Sequence, residues 1–210
     1  ILTKAASGIE TIEYGKSGNE VTGKVTRSNP AMSLDCTIGS RKLSISTNLV
    51  GAYNLENVLA AISIGNYFGV SDGDIKEAIE SYFPENNRSQ VLQTPKNTLI
   101  MDAYNANPSS MEASILNFAE GEYDNKILIL GEMLELGTDA DAEHHKITDF
   151  VRALGFTKAF LVGKGFKMDN DEVFRYFDTT DDLVDHLLKY QLAGYTILIK
   201  GSRGNKLEKV

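Results

Sequence analysis

Apolar positions follow two different rhythms along the chain. Through about residue 50 they alternate with polar ones, as in strands with one covered face. Ile9 to Tyr14 opens such a strand, Gly15, Gly18 and Gly23 mark turns, and Leu43-Ser-Ile-Ser-Thr47 alternates cleanly. From Asn54 the period becomes helical. Leu55, Val58, Leu59 and Ile62 share one face, and Ala60 and Ala61 add helix propensity. Ser71-Asp-Gly-Asp74 has the form of a capping box, opening a second helix with Ile75, Ala78, Ile79, Tyr82 and Phe83 turned inward. Residues 84–87, Pro-Glu-Asn-Asn, stop that helix and form a linker.

Beyond the linker, strands and helices alternate. Continuous apolar runs predict strands at residues 98–103, 126–131, 158–163, 173–177 and 195–200. Between them, Asn107 caps a helix with Pro108 at its first position, a second helix covers 140–154, and Thr179 caps a third bearing Leu183, Val184, Leu187 and Leu188. Strands apolar on both faces, separated by amphipathic helices, imply a parallel sheet covered on both sides. Ligands of such sheets bind at the carboxyl ends of the strands, so the loops beginning at Asp102, Gly131, Gly163 and Lys200 are where chemistry is expected.

Charge narrows the partners. Lys and Arg number 21 against 29 Asp and Glu, a net charge of -8, which argues against a nucleic-acid surface. No apolar run is long enough for a membrane span, and no secretory leader opens the chain at Ile1. With a single cysteine no intrachain disulfide can form, and a reducing, cytoplasmic compartment is expected. Cys36 lies in the alternating run Leu-Asp-Cys-Thr-Ile and reads as a core thiol.

Several motifs have ordinary explanations. Residues 18–25 fall one position short of a phosphate-binding loop, with Val25 where a magnesium-binding hydroxyl would stand, and a turn between strands explains them better. Gly163-Lys-Gly165 lacks the third glycine of a dinucleotide fingerprint. His144-His145 has no metal-ligand spacing, and His144 reads as structural. The segment Asp102-Ala-Tyr104-Asn105-Ala-Asn107-Pro108-Ser-Ser-Met111 is denser. It places a carboxylate, a phenol and two amides where a buried strand becomes a helix. Capping explains Asn107. A carboxylate at a strand end can accept hydrogen bonds from two ribose hydroxyls, so the rest serves either a ligand or a hydrogen-bonded turn.

That segment resembles a signature of the Mur ligase family, on the branch that adds D-alanyl-D-alanine to a UDP-N-acetylmuramoyl-tripeptide. Four further stretches agree in order: Gly51-Ala-Tyr53-Asn54-Leu-Glu-Asn57-Val-Leu-Ala-Ala; Pro84 followed by Arg88-Ser-Gln90; Gly131-Glu132-Met-Leu-Glu-Leu-Gly137 with His144 beyond; and Lys200-Gly-Ser202-Arg203. Tyr53 stands where the family pattern has His, and Glu132 where it has Asp.

The resemblance implies an α/β fold. Residues 1–84 would be a strand-and-helix remnant of a central ATP-binding domain. Residues 85–210 would be a Rossmann-like C-terminal domain with a mostly parallel sheet. The phosphate loop, a UDP-substrate domain and the Mg2+ ligands would lie upstream. It further implies that ATP phosphorylates the tripeptide carboxylate and that the amine of the dipeptide attacks the acyl phosphate. Asn54 and Asn57 would face adenine, and Arg88 and Asp102 would hold the nucleotide. Tyr104, Asn105 and Lys200 would lie at the reacting groups, while Asn107, Ser202 and Arg203 would bind substrate. This chain alone would be inactive. Two alternatives stay open on sequence: a nucleotide-dependent Rossmann oxidoreductase or transferase, resting on Gly163, and a non-catalytic nucleotide-binding module.

Overall fold

The computed structural model describes residues 8, 11–29, 31–85 and 87–210. It divides into two compact units, Ile1–Tyr82 and Phe83–Val210.

The first unit is a four-stranded sheet backed by helices. Strands β1 (Tyr14–Gly15), β2 (Val21–Arg27), β3 (Ser33–Ile38) and β4 (Arg41–Ser46) lie in sequential order. β1 runs parallel to β2, and the other neighbours are antiparallel. Val21, Leu34, Cys36, Ile38 and Ile45 project from one face onto Leu55, Val58, Leu59 and Ile62 of helix α1 (Leu55–Tyr67) and Ile75 of helix α2 (Asp72–Ser81). Cys36 is buried there, and burial pushes its thiol pKa up, as suits a core residue rather than a nucleophile. Ser71 caps α2 by accepting the Asp74 N–H at 3.2 Å.

Four local expectations change. Ile9 and Glu10 lie outside the described residues, and of the strand foreseen there the described part pairs only at Tyr14–Gly15. Gly15 thus sits in β1. Gly23 is not a turn either: it sits inside β2, where a Cβ would lie 2.7 Å from Leu59 Cδ2. The missing side chain lets α1 close onto the sheet. Ala78, Tyr82 and Phe83 are exposed. The helix stops at Ser81, and Tyr82 turns extended (φ -73, ψ 119), so the helical period that would carry it inward is broken.

The second unit is a six-stranded sheet in the order β5-β6-β10-β7-β8-β9. Its strands are β5 (Gln90–Gln93), β6 (Thr98–Asp102), β7 (Lys126–Gly131), β8 (Ala159–Val162), β9 (Phe174–Phe177) and β10 (Thr196–Lys200). All run parallel except β5, an antiparallel edge strand absent from the sequence expectation. Helix α5 (Thr180–Lys189) covers one face through Leu183, which packs with Ile127, Ile129, Ile197 and Ile199. Alternation turns Ile100, Leu128, Leu130 and Leu198 to the other face. Helices α3 (Pro108–Glu120) and α4 (Ala140–Ala153) pack on each other and bury Met111, Ile115, Phe118, Ile147 and Val151. Leu188, expected inward, is exposed because it lies one step of about 100° past Leu187 in the last turn.

Asn107 and Thr179 cap α3 and α5 with full capping boxes. The chain leaves β9 through α5 and returns to β10, between β6 and β7. This reversal of strand order brings the carboxyl ends of β6, β10 and β7 side by side, the usual position of a ligand crevice.

Candidate functional site

β6 and β10 run in register, with Lys200 level with Asp102. Both side chains point to the same face, and Lys200 Nζ lies 2.7 Å from Asp102 Oδ2. The pair is enclosed, with side chains only 3% and 15% exposed. Asp102 Oδ1 accepts the Ser89 N–H at 3.3 Å. Both oxygens therefore have a partner. A carboxylate offers about four acceptor positions, so acceptor capacity remains for hydroxyl donors.

Next to this pair, Tyr104 gathers two cations. The Arg88 guanidinium lies 3.6 Å from the centre of its ring and that of Arg203 5.5 Å. The hydrogen bond and charge of Arg88, then the charge of Arg203, lower the phenol's pKa from its ordinary value. Both arginines are exposed, and among the described residues neither forms an ion pair with a carboxylate. Two exposed guanidiniums on one ring, from segments far apart in sequence, make a fork for anionic oxygens.

The β7 loop forms the neighbouring wall. His144 Nε2 accepts the Met133 N–H at 2.9 Å, and Nδ1 lies 2.6 Å from the Ala140 carbonyl oxygen. The ring therefore acts as a neutral imidazole that donates from Nδ1 and accepts at Nε2. Ser202 Oγ accepts the Leu134 N–H at 3.0 Å, and Asn205 Nδ2 donates to the Glu132 carbonyl at 2.8 Å. At Gly201 a Cβ would lie 2.9 Å from Gly131 Cα, so only glycine lets the β7 and β10 loops meet this closely.

A profile of the "Mur ligase, glutamate ligase domain" matches residues 87–203, more than half of the chain. The chain belongs to the Mur ligase family. It is 34% identical over 128 residues to the UDP-N-acetylmuramoyl-tripeptide–D-alanyl-D-alanine ligase of Rickettsia prowazekii, covering 59% of this chain and 28% of that protein. To the enzyme of the same name from Bacillus subtilis it is 32% identical over 173 residues, covering 77% of this chain and 38% of the relative. The structure is similar to that of MurF ligase from Thermotoga maritima in complex with ADP, with a TM-score of 0.81 at 17% identity, over 100% of this chain and 49% of that one. The chain thus spans less than half the length of these relatives.

In this Mur ligase chain the residues singled out by sequence fall into four groups. Arg88, Asp102, Tyr104, Lys200 and Arg203 converge at the carboxyl edge of the second unit's sheet. Asn107 and Ser202 have structural work: Asn107 Oδ1 accepts the Ser110 N–H at 2.8 Å, and buried Ser202 braces the β7 loop. Exposed Asn105 accepts the Ala106 N–H through its own Oδ1 at 2.9 Å. Asn54 and Asn57 lie in the first unit. Asn54 makes no side-chain cap; its Nδ2 donates to the Val50 carbonyl at 2.8 Å and its Oδ1 accepts from Asn57 at 3.1 Å. Asn57 is the exposed member of that pair.

Gly163-Lys-Gly165 is a strand-to-loop turn. The Gly165 N–H donates to Glu132 Oε2 at 2.8 Å, so a carboxylate of the chain already occupies the place a pyrophosphate would need. The Tyr104–Arg88–Arg203 cluster had no sequence signal beyond its separate motifs. Nor did the burial of Lys200, which the family resemblance puts at the reacting groups.

Proposed function

We propose that this chain is the C-terminal portion of an ATP-dependent ligase that joins D-alanyl-D-alanine to UDP-N-acetylmuramoyl-tripeptide. In this reading residues 1–84 complete the central ATP-binding domain and residues 85–210 form the C-terminal domain. The observation that carries it is the convergence of Asp102–Lys200 with Arg88, Tyr104 and Arg203 at one strand edge, within the matched segment.

That donor set fits a nucleotide. Arg88 and Arg203 offer planar donors to phosphate or carboxylate oxygens, and Asp102 offers lone pairs to ribose hydroxyls. ATP, when bound, supplies the phosphoryl group that turns the tripeptide carboxylate into an acyl phosphate. The residues here contribute positioning and charge neutralisation. Arg88 and Asp102 hold the nucleotide, and Arg203 takes the carboxylate end of the dipeptide. Tyr104 and Asn105 border the reacting groups. On the first unit, exposed Asn57, held by Asn54, offers an amide suited to an adenine edge. Among the described residues no cluster of three or more His, Cys, Asp or Glu is placed for a metal, and none is assigned to Mg2+. No described helix is long and apolar enough to cross a membrane.

The test is kinetic, on the full-length gene product. Phosphate release from ATP should require both the UDP-linked tripeptide and D-alanyl-D-alanine. Asp102→Ala should raise the Michaelis constant for ATP by about ten- to a hundred-fold, the loss of one charge-assisted hydrogen bond of roughly 1.5–3 kcal/mol. An unchanged ATP constant with a lowered melting temperature would remove Asp102 from the site, and release independent of both peptide substrates would sink the reading.

A further inference from the structure

Arg88 sits in an unusual stretch of backbone. Its neighbours Asn87 and Ser89 both have positive φ, 59° and 50°. Asn tolerates this left-handed region, whereas Ser enters it at a cost and stays only where its surroundings hold it. Among the described residues, two contacts from the end of β6 help to hold the stretch. The Ala103 N–H donates to the Asn87 carbonyl at 2.9 Å, and the Asp102 carboxylate accepts the Ser89 N–H. One residue later the chain enters β5, where Gln90 pairs with Met101. Arg88 is the outward member of this pinned turn, and its guanidinium lies over Tyr104.

The Asp102 carboxylate therefore has a second task besides any ligand, and its orientation depends on Lys200. In so enclosed a place a carboxylate needs a charge partner. Lys200 supplies it through Oδ2, which leaves Oδ1 aimed at Ser89. Lys200 itself is 2% exposed, so its ammonium is buried beside the Asp102 carboxylate. We propose that Lys200 is a positioning residue: by orienting Asp102 it holds the left-handed turn at 87–89 and so places the Arg88 guanidinium on the Tyr104 ring. This role differs from that of a group touching the reacting atoms, which the family resemblance implies for Lys200. It rests on the proposed function only for what the placed arginine is used for.

The consequence can be read without any ligand. A guanidinium 3.6 Å from an aromatic centre brings the arginine side-chain protons into the ring current. In the 210-residue chain with labelled arginine, the Arg88 δ-methylene signals, assigned by their loss in R88K, should lie upfield and return to ordinary positions in Y104L. In K200M they should move to the Y104L positions, while the dispersed methyl spectrum shows the fold retained. The control I147V loosens the same unit in its core and should leave Arg88 unmoved. If K200M does not fold, K200M/D102L replaces the whole ion pair by apolar side chains, and the same loss of the upfield shift is expected. Wild-type Arg88 positions in a folded K200M or K200M/D102L chain would overturn the proposal, as would an equal loss in I147V. Such a failure leaves the proposed function untouched, because that reading stands or falls on phosphate release that requires both peptide substrates.

Discussion

The two units solve the same problem with different polar economies. The first covers one face of a mostly antiparallel sheet with two helices, and the side chains packed between them are apolar. Its polar interior residues hold local structure, as Asn54 does for Val50 and Asn57. The second buries both faces of a parallel sheet, yet it encloses a charged pair where three strands end. Parallel strands present their carboxyl ends together, so loops from distant parts of the sequence arrive at one edge. A unit that gathers polar groups there accepts the cost of partnering each one; a unit held by packing alone does not face it.

The largest effect on this contrast comes from splitting the charge pair. Lys200→Ala leaves an enclosed carboxylate uncompensated and should destabilise the second unit by about 3–5 kcal/mol. Amide exchange resolved by residue should show faster global opening across β6, β7 and β10 and unchanged rates in α1 and β3. A smaller effect, confined to the first unit, is expected from Gly23→Ala. The new methyl meets the enclosed Leu59, and overpacking of this kind costs about 1–3 kcal/mol. Urea unfolding followed through probes in the first unit measures it, and a neutral outcome would show that α1 shifts freely over the sheet.

The smallest effect tests exposed charge. Asp171 pairs with Arg152 and accepts the Val173 and Phe174 N–H groups at 2.8 Å each. The Phe174 hydrogen bond first, and then Arg152, lower its pKa from the ordinary carboxylate value. A carboxyl depressed in the folded state stabilises above the unfolded-state pKa, and that contribution disappears as pH falls through the folded-state value. Asp171→Asn should therefore cost well under about 1 kcal/mol near neutral pH, where solvent screens the pair. The difference from wild type should vanish on acidification through the carboxylate range, as thermal melts across pH would show.

The periodic features of both units were legible in the sequence. Asn107, Thr179 and Ser71 cap the helices expected of them, and the apolar runs of the second unit became its parallel strands. What escaped were features decided by tertiary contact. β5 is four residues with Val91 and Leu92 partly exposed, too short and too little alternating to stand out beside a linker. Gly23 looks like a turn until α1 lies against it. Of the site, the individual residues were visible through family motifs. Their assembly was not, because Arg88 and Arg203 meet only through the ring of Tyr104.

The level placement of Lys200 and Asp102 also bears on how the sheet finds its alignment. Leu-Ile-Met in β6, Ile-Leu-Ile in β10 and Ile-Leu-Ile-Leu in β7 are nearly interchangeable, so hydrophobic burial alone scarcely distinguishes one offset of these strands from another. A one-residue slip of β10 would carry the ammonium to the α5 face. A two-residue slip would keep the faces but move it about 6.6 Å along the strand, away from its carboxylate. Either error strands two ions in an apolar layer. The pair can thus serve as a registration mark on otherwise repetitive strands, because the observed register sets ammonium and carboxylate level with each other.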